Sequence, residues 1–334
     1  MFPIFTQIKK EILTMQQIIE KINDYAKSKI PFLLFVDFEM QKPLLYKIDA
    51  LEKENITISF PRFSNKKDSE KKEIELQNVI PIEKEIYKKG FDIVMQNLMY
   101  GNSYLTNFTA KTAIETKASM KEIFDNAKAK YKIKYKEEWL CFSPECFIKI
   151  EGNEIYSFPM KGTIDGSISD AENILLNDKK EIAEHYTIVD LIRNDLSMIA
   201  KNVCVEKFRY LDKIHSNNKT LLQVSSKIKG ELSKDFKNNL GEILFQLLPA
   251  GSISGAPKKK TIEIIATAEN DNRGYYTGVA FYFDGQNIDS CVMIRFIEKK
   301  EDKMYYRSGG GITINSILEN EYQELKDKIY VPLS

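Results

Sequence analysis

The sequence is poor in the residues that build metal–sulfur sites and disulfide scaffolds. It contains two histidines and four cysteines, and the cysteines stand apart as Cys141, Cys146, Cys204 and Cys291, with no CxxC pair. This spacing provides neither the clustered ligands of a zinc site nor the framework of a small disulfide-rich protein. We therefore expect a reduced, cytoplasmic protein.

The chain also has a net charge close to zero, at +1, and it has no long apolar runs. The 49 Lys and Arg residues nearly balance 48 Asp and Glu residues, so nothing indicates a dedicated nucleic-acid or anionic-membrane partner. No apolar run is long enough to cross a bilayer. The start, MFPIFTQIKKEILTM, lacks the basic segment, apolar stretch and cleavage site of a signal peptide. We expect neither a membrane nor a nucleic acid as partner.

The pattern of apolar residues that is present favours an α+β fold. Helical spacing predicts helices ending at Gly101, over Asp178–Ala200 and over Ile317–Ile329, and KEIFDNAKAKYKIKY (121–135) also looks helical. Apolar runs separated by EGNE, DGQN and KKED predict antiparallel hairpins. Residues 62–78 are polar and read as a loop. Helices between hairpins, without regular βαβ alternation, indicate large antiparallel sheets.

Two predicted helices carry paired carboxylates. Glu181 and Glu184 are three residues apart and share a helix face, as do Glu321 and Glu324, with Lys328 four residues further along. Taken alone, each pair is typical of a solvated surface. Together they suit a hard cation such as Mg²⁺, which takes one or two carboxylates, keeps waters and leaves room for an anionic substrate.

Two glycine-rich segments are candidate anion-binding loops. PAGSISGAPK (Pro249–Lys258) is predicted to open a helix, where free N–H groups favour an anion and Ser252 offers a hydroxyl. RSGGGIT (Arg307–Thr313) lets backbone N–H groups approach a ligand. Either segment could instead be an ordinary helix start or strand turn. Neither is a Walker loop, because GxxxxGK[ST] is absent.

An arginine and a tyrosine are candidates for binding a carboxylate. Arg295 lies within the apolar strand VMIRFI, where a guanidinium needs a partner, and a carboxylate held bidentately is the natural one. Tyr276 in RGYYTG could supply a phenol to the same ligand, although a tyrosine there is also typical of a core.

Eight motifs occur in the order found in the chorismate-utilising enzymes: SPECF, FPMKGTI, KEIAEHYTIVDLIRNDL, LLPAGSISGAPKKKTIEII, RGYYTGVAFYF, MIRF, RSGGGIT and ENEYQELKDK. The sequence resembles this family, which includes anthranilate, isochorismate, salicylate and aminodeoxychorismate synthases, over roughly residues 83–328. The resemblance implies one fold with a four-layer α/β/β/α core and two large antiparallel sheets. Residues 1–82 would form its divergent N-terminal part and residues 83–334 its chorismate-binding catalytic region.

The resemblance also implies roles for particular residues. The family's general acid, which protonates the departing C4 hydroxyl because hydroxide is a poor leaving group, matches Glu145. The family's Mg²⁺ ligands match Glu184 and Glu324, with Glu181 and Glu321 close by through water. The residues that hold the enolpyruvyl carboxylate match Tyr276 and Arg295. Other substrate contacts match Ser252, Gly309 and Lys328.

Lys161 in FPMKGTIDGS distinguishes the branches of the family. Anthranilate synthases resemble this chain here but carry alanine, whereas lysine is the mark of the aminodeoxychorismate synthases. In that branch the amine attacks C2 of chorismate, and ammonia then adds at C4 and expels the lysine. A neutral amine at pH 7 needs a pKa about 3 pH units below the usual value of about 10.4. We expect burial and nearby Mg²⁺ to lower the pKa of Lys161; the alternative is a lysine that only pairs with substrate or with Glu145.

Two departures from the family pattern bear on the reaction. Leu105 stands where isochorismate and salicylate synthases place a lysine base, which argues against water addition. Gln223 stands where anthranilate synthases have a histidine, which puts pyruvate elimination in doubt.

Ammonia must come from elsewhere, because no nucleophile elbow of the GxCxG type is present. We expect a separate glutamine amidotransferase subunit as partner. The rival interpretations are an anthranilate synthase component I, a non-catalytic chorismate-binding subunit and, weakly, a nucleic-acid binder using the PKKK run at 257–260 on a solvated helix.

Overall fold

The computed structural model describes residues 14–69, 74, 77–216 and 219–332. The start of the chain, where we expect no leader, and the centre of the 62–78 loop lie largely outside these residues. None of the helices in the described part of the chain is long and apolar enough to span a membrane.

Within the described residues there are eight α-helices: α1 Met15–Lys27, α2 Lys84–Met99, α3 Met120–Asn126, α4 Ala171–Asn177, α5 Lys179–Ser197, α6 Leu240–Gln246, α7 Lys258–Glu269 and α8 Leu318–Asp327. The strands described there are β1 Phe32–Val36, β2 Leu44–Lys47, β3 Ile56–Phe60, β4 Phe63–Ser64, β5 Asn78–Ile80, β6 Leu105–Glu115, β7 Tyr131–Tyr135, β8 Trp139–Ser143, β9 Cys146–Glu151, β10 Glu154–Ser157, β11 Met160–Asp165, β12 Lys201–Ser216, β13 Lys219–Glu231, β14 Gly255–Ala256, β15 Val279–Phe283, β16 Ile288–Val292, β17 Phe296–Lys300 and β18 Lys303–Ile312.

These strands form two antiparallel sheets. Sheet I has the order β11-β13-β10-β9-β16-β15-β1-β2, with β12 also paired to β13. Sheet II has the order β14-β6-β18-β17-β8-β7-β3-β4, with β5 also paired to β6. The first 82 residues contribute strands to both sheets, since β1 and β2 belong to sheet I while β3, β4 and β5 belong to sheet II.

The two sheets pack face to face through an apolar layer rich in aromatic rings. Phe35 of sheet I meets Trp139 of sheet II edge-on at 5.2 Å between ring centroids. Trp139 in turn stacks on Phe296 at 5.2 Å and on Tyr135 at 5.1 Å. Such ring pairs add to the free energy of burial, and they hold the two sheets together beneath the cavity described below.

Helices cover both outer faces and complete four layers. The outer face of sheet I packs against α1, α5 and α6, with Phe32 and Leu34 of β1 in one cluster with Ile22 of α1. The outer face of sheet II packs against α2, α3, α7 and α8. Alternate residues of β1 therefore face opposite layers, as the two-residue period of a strand requires. The predicted four-layer α/β/β/α architecture is confirmed.

One predicted helix is largely wrong. Residues 121–135 are helical only as far as Asn126, and Tyr131–Tyr135 form β7, paired with β3 and β8. Lys132 and Lys134 of this strand are buried. The Lys132 ammonium lies 4.6 Å from the centre of the Phe124 ring, a cation–π contact that helps a lysine lie inside a sheet.

Candidate active site

A cavity of about 950 Å³ lies where the ends of strands from both sheets meet α5 and α8. The side chains or backbone of all eleven residues predicted for the site line it. They are Glu145, Lys161, Glu181, Glu184, Ser252, Tyr276, Arg295, Gly309, Glu321, Glu324 and Lys328. Residues as far apart in the chain as Glu145 and Lys328 thus lie together, although their individual chemical roles stay predictions.

Lys161 projects from β11 towards the carboxylates of α5. Its Nζ donates a hydrogen bond of 2.8 Å to Oε2 of Glu184, and the two side chains are 26% and 13% exposed. Burial lowers the pKa of Lys161, but Glu184, followed by Glu181 and Glu324, outweighs burial and raises the pKa above its ordinary value. The carboxylates around the amine thus hold its pKa up, and the expected lowering, which included a nearby Mg²⁺, stays a prediction.

Gly162, directly after the lysine, lets α5 approach β11. Its φ of +77° lies in the left-handed region that favours glycine. A Cβ there would lie 3.0 Å from Cδ1 of Leu175 and 3.2 Å from Oε2 of Glu181. Both the backbone conformation and the nearby carboxylate therefore require glycine at this position.

Glu145 lies across the cavity, in the loop between β8 and β9. The Ser252 hydroxyl donates a hydrogen bond of 2.7 Å to its Oε1. Burial raises the pKa of Glu145, although Ser252, Lys161 and Arg295 act in the opposite direction. A carboxyl group with a raised pKa retains its proton closer to neutral pH, which is what a general acid requires.

The four glutamates of α5 and α8 face a common space. A Cβ on Gly310 of β18 would lie 3.0 Å from Oε1 of Glu324 and 3.6 Å from Oε2 of Glu321. Glu321 accepts a hydrogen bond of 2.7 Å from Ser316, and Glu324 accepts one of 2.5 Å from Lys328. These oxygens thus lie close to the strand, and a side chain at this point would displace the Glu324 carboxylate.

Oxygen donors of this kind suit Mg²⁺, so the chemistry of the residues fits the predicted metal. Among the described residues, however, no three carboxylates, imidazoles or thiols are already arranged as a metal site. Lys161 and Lys328 instead pair with Glu184 and Glu324. A cation bound here would share these two glutamates with the lysines or replace the lysine contacts.

The two glycine segments differ in structure from the predicted loops. RSGGGIT is not a loop but the end of β18, paired with β6 along its length. Strand β17 pairs with β18 only as far as Arg307, so beyond that residue the second edge of β18 faces the cavity. Lys328 Nζ donates to the carbonyl of Gly309 on this stretch, at 2.9 Å.

The other segment makes a single turn before its helix begins. Residues Gly251–Ile253 form one turn of 3₁₀-helix, Gly255 and Ala256 pair with β6, and α7 starts only at Lys258. Lys258 was predicted to face solvent, which is wrong, because its Nζ donates to both carboxylate oxygens of Asp195 at 2.9 Å.

Arg295 was predicted within a strand, which is wrong: it lies between β16 and β17, with a φ of +53°. Among the described residues no carboxylate lies within salt-bridge distance of it, and its Nε donates to the Tyr330 hydroxyl at 3.4 Å. Tyr276, which is 4% exposed, lines the same part of the cavity. An arginine at a cavity wall that has no carboxylate partner in the protein can bind a carboxylate of a ligand.

Two residues that depart from the family pattern lie at the cavity, whereas a buried histidine of α5 does not. Leu105 and Gln223 line the cavity, and Gln223 Nε2 donates to the Thr163 hydroxyl at 3.2 Å. His185 does not line it: its Nε2 lies 2.7 Å from the Ser226 hydroxyl, and burial lowers the pKa of His185 to about 4. Tyr330 is the contact that sequence analysis missed, since a lone tyrosine near the end of the chain carries no signal.

The sequence and the fold are similar to those of known proteins that belong to one family. A profile of the family described as chorismate binding enzyme matches residues 14–334. An uncharacterized PabA-like protein of Haemophilus influenzae is 46% identical over 96% of this chain and 98% of its own length. Anthranilate synthase component 1 of Acetivibrio thermocellus is 29% identical over 92% of this chain and 65% of its own length. The menaquinone-specific isochorismate synthase MenF of Escherichia coli has the same fold, with a TM-score of 0.70 at 17% identity over 94% of this chain and 80% of that one.

Proposed function

This chain belongs to the chorismate binding enzyme family, and we propose that it is component I of an aminodeoxychorismate synthase. The observation that carries the proposal is Lys161, whose amine enters the cavity opposite Glu145 and beside the glutamates. A lysine in this position supplies a nucleophile that an alanine cannot. The reaction proposed is the amination of chorismate at C4 to give 4-amino-4-deoxychorismate, a precursor of para-aminobenzoate and folate.

In the first proposed step the neutral amine of Lys161 attacks C2 of chorismate. The two ring double bonds shift, the C4–O bond breaks, and Glu145 gives its proton to the departing hydroxyl, which leaves as water. The raised pKa of Glu145 supports this role, because the proton must still be present when the bond breaks. Lys161 is then bound covalently to the ring.

In the second step ammonia adds at C4. The double bonds shift back, the C2–N bond breaks, and the Lys161 amine returns to its free form. The added nitrogen gives a proton to the Glu145 carboxylate, which restores the general acid. The enolpyruvyl group stays on the ring. Gln223, where a histidine stands in anthranilate synthases, supports a reaction without pyruvate elimination.

Binding of the substrate is assigned to the charged groups of the cavity wall. Arg295 and Tyr276 would hold the enolpyruvyl carboxylate, while Ser252, Gly309 and Lys328 would contact other parts of the ring system. Glu184 and Glu324, with Glu181 and Glu321 nearby, would hold Mg²⁺, which when bound supplies positive charge for the ring carboxylate. Until substrate arrives, Lys161 and Lys328 neutralise two of these glutamates.

Product analysis tests the proposed reaction. Chorismate, Mg²⁺ and ammonium are incubated with the protein, and the products are separated and identified by mass. We expect 4-amino-4-deoxychorismate without pyruvate. Fluorescent anthranilate together with pyruvate would instead identify an anthranilate synthase, and no conversion of bound chorismate would identify a non-catalytic subunit.

The proposed ammonia donor is a separate glutaminase subunit, and the proposed setting is the cytoplasm. Co-purification with the glutaminase subunit of the same organism, followed by an assay with glutamine in place of ammonium, tests the partner. A complex with glutamine-dependent turnover is expected. Activity with ammonium alone, and no complex, would leave free ammonia as the donor.

A further inference from the structure

The Arg295 guanidinium is surrounded by phenol rings. Burial lowers the pKa of Arg295, but Tyr306, Tyr330 and Tyr276 outweigh it and raise the pKa. The centre of the Tyr330 ring lies 5.3 Å from Cζ of Arg295, and the Tyr330 hydroxyl accepts the 3.4 Å hydrogen bond from Nε. The guanidinium thus contacts Tyr330 through both the ring face and the hydroxyl.

Tyr330 itself lies in the segment that follows α8, and this segment is fixed to its surroundings by three contacts. The hydroxyl of Tyr306, which is fully buried, donates a hydrogen bond of 2.9 Å to the backbone oxygen of Tyr330. The next residue, Val331, is buried in the cluster between sheet II and α3. The backbone N–H of Lys128 donates to the oxygen of Pro332 at 2.6 Å. Three successive residues are therefore fixed to sheet II or to the chain beside it.

Arg295 has a reason to need such support. Its φ of +53° lies in the left-handed region, which is unfavourable for a residue with a side chain. A long side chain with no carboxylate partner also has many rotamers to choose from. The Tyr330 ring beside the guanidinium and the hydrogen bond from Nε restrict these rotamers.

We propose that Tyr330 is a positioning residue for substrate binding, which orients Arg295 towards a carboxylate of the ligand. Tyr330 does not line the cavity, so it acts through the arginine rather than on the substrate. The same part of the chain then carries Glu321 and Glu324 on α8, Lys328 directly after it, and the support of Arg295 just beyond. The inference rests on the proposed function in taking chorismate as the ligand.

A double-mutant cycle tests this coupling. The dissociation constant of chorismate is measured by calorimetry in the presence of Mg²⁺, and KM and kcat are measured in the ammonium assay. We expect Tyr330→Ala to raise the dissociation constant and KM about fivefold with little change in kcat, as loss of the cation–π contact and hydrogen bond of a half-exposed tyrosine implies. Tyr330→Phe keeps the ring and is expected to weaken binding by only about twofold. In an Arg295→Gln background neither substitution should weaken binding further.

The controls separate this role from a structural one. Tyr100, 81% exposed at the end of α2, provides a matched tyrosine, and Tyr100→Ala should leave chorismate binding unchanged. Tyr330→Phe serves as the test if Tyr330→Ala does not fold. Unchanged binding in the Tyr330 variants, or a loss that is equally large in the Arg295→Gln background, overturns the inference. Failure of the unaltered protein to bind chorismate would instead refute the proposed function.

Discussion

The Nζ of Lys161 donates its hydrogen bond to Glu184 across 2.8 Å, which joins the strand that carries the proposed nucleophile to the helix that carries the first pair of glutamates. An ammonium group in such a pair has no free electron pair. Lys161 must therefore lose both its contact with Glu184 and a proton before it can attack carbon. The contact keeps the amine charged and held in place until the cavity is filled.

The first prediction concerns covalent catalysis by Lys161. Lys161→Ala and Lys161→Arg should each lower kcat by roughly 10³-fold or more, because neither side chain provides a nucleophilic amine. Lys161→Arg is the matched control for charge, since it can keep an ion pair with Glu184. Intact-mass analysis of the protein incubated with chorismate and Mg²⁺, without ammonium, should show an adduct of chorismate less one water.

Two results would contradict this prediction. Turnover that survives in Lys161→Arg would leave the residue as a charge partner only. An adduct that persists in Lys161→Ala would place the covalent bond on another side chain.

The second prediction is a pH dependence set by Glu145. A general acid works while it is protonated, so kcat should fall as pH rises through the pKa of Glu145, which burial raises. Ser252→Ala removes a hydrogen bond that stabilises the ionised carboxylate and should move this limb of the profile to higher pH. Glu145→Gln should abolish the limb and lower kcat by about 10²- to 10⁴-fold.

A neighbouring serine provides the control for the pH profile. The Ser254 hydroxyl donates to the backbone oxygen of Ala250 at 2.9 Å rather than to Glu145. Ser254→Ala should therefore leave the limb where it is. The limb is measured as kcat at saturating chorismate, and a limb that stays fixed in both Ser252→Ala and Glu145→Gln would assign it to a different group.

The sequence predicted that the site residues lie together, because each belongs to one of the motifs of the resemblance, but their roles stay predictions. All eleven predicted residues line one cavity, and the helices α2, α5 and α8 follow from apolar periodicity. The distances and charge contacts within the site could not be predicted from the sequence. The pKa of Lys161 depends on carboxylates from α5 and α8, and their approach to β11 is a matter of tertiary packing rather than of local pattern.

The errors in secondary structure have a common origin in pairing between distant strands. Tyr131–Tyr135 carry two lysines that favour a helix by local propensity, yet β3 and β8 flank them and impose a strand. The glycines at 309–311 look like a loop, but pairing with β6 makes them a strand. Local propensity is a weak prior when long-range pairing competes with it.

The third prediction concerns a buried ion pair behind the cavity. Arg273 and Glu269, 1% and 3% exposed, form an ion pair, and Arg273 also donates to the backbone oxygens of Ile253 and Asn107. Glu269→Ala leaves the Arg273 charge buried and should lower the free energy of unfolding by about 3–5 kcal/mol. Urea denaturation measures the loss.

A second ion pair on the same helix is the control for this loss. Lys260 and Glu263 of α7 form an ion pair with side chains that are 50% and 56% exposed. Glu263→Ala should change the stability too little to detect, because solvent screens such pairs. Equal losses in Glu263→Ala and Glu269→Ala would contradict the assignment of the large effect to burial.

The fourth prediction separates the backbone role of Gly162 from its role in the site. Gly152 has a φ of +62° in a turn where a Cβ would meet nothing within 4 Å. Gly152→Ala should thus cost about 1–2 kcal/mol of stability from left-handed strain alone and leave kcat unchanged. Gly162→Ala carries the same strain at φ +77° and also brings a methyl group to 3.2 Å from Oε2 of Glu181. Because the Glu181 carboxylate must shift to make room for this methyl group, Gly162→Ala should lower kcat as well as stability. Both variants are compared by urea denaturation and by the ammonium assay, and equal kcat values in the two would show that the approach of Glu181 to Gly162 has no part in the reaction.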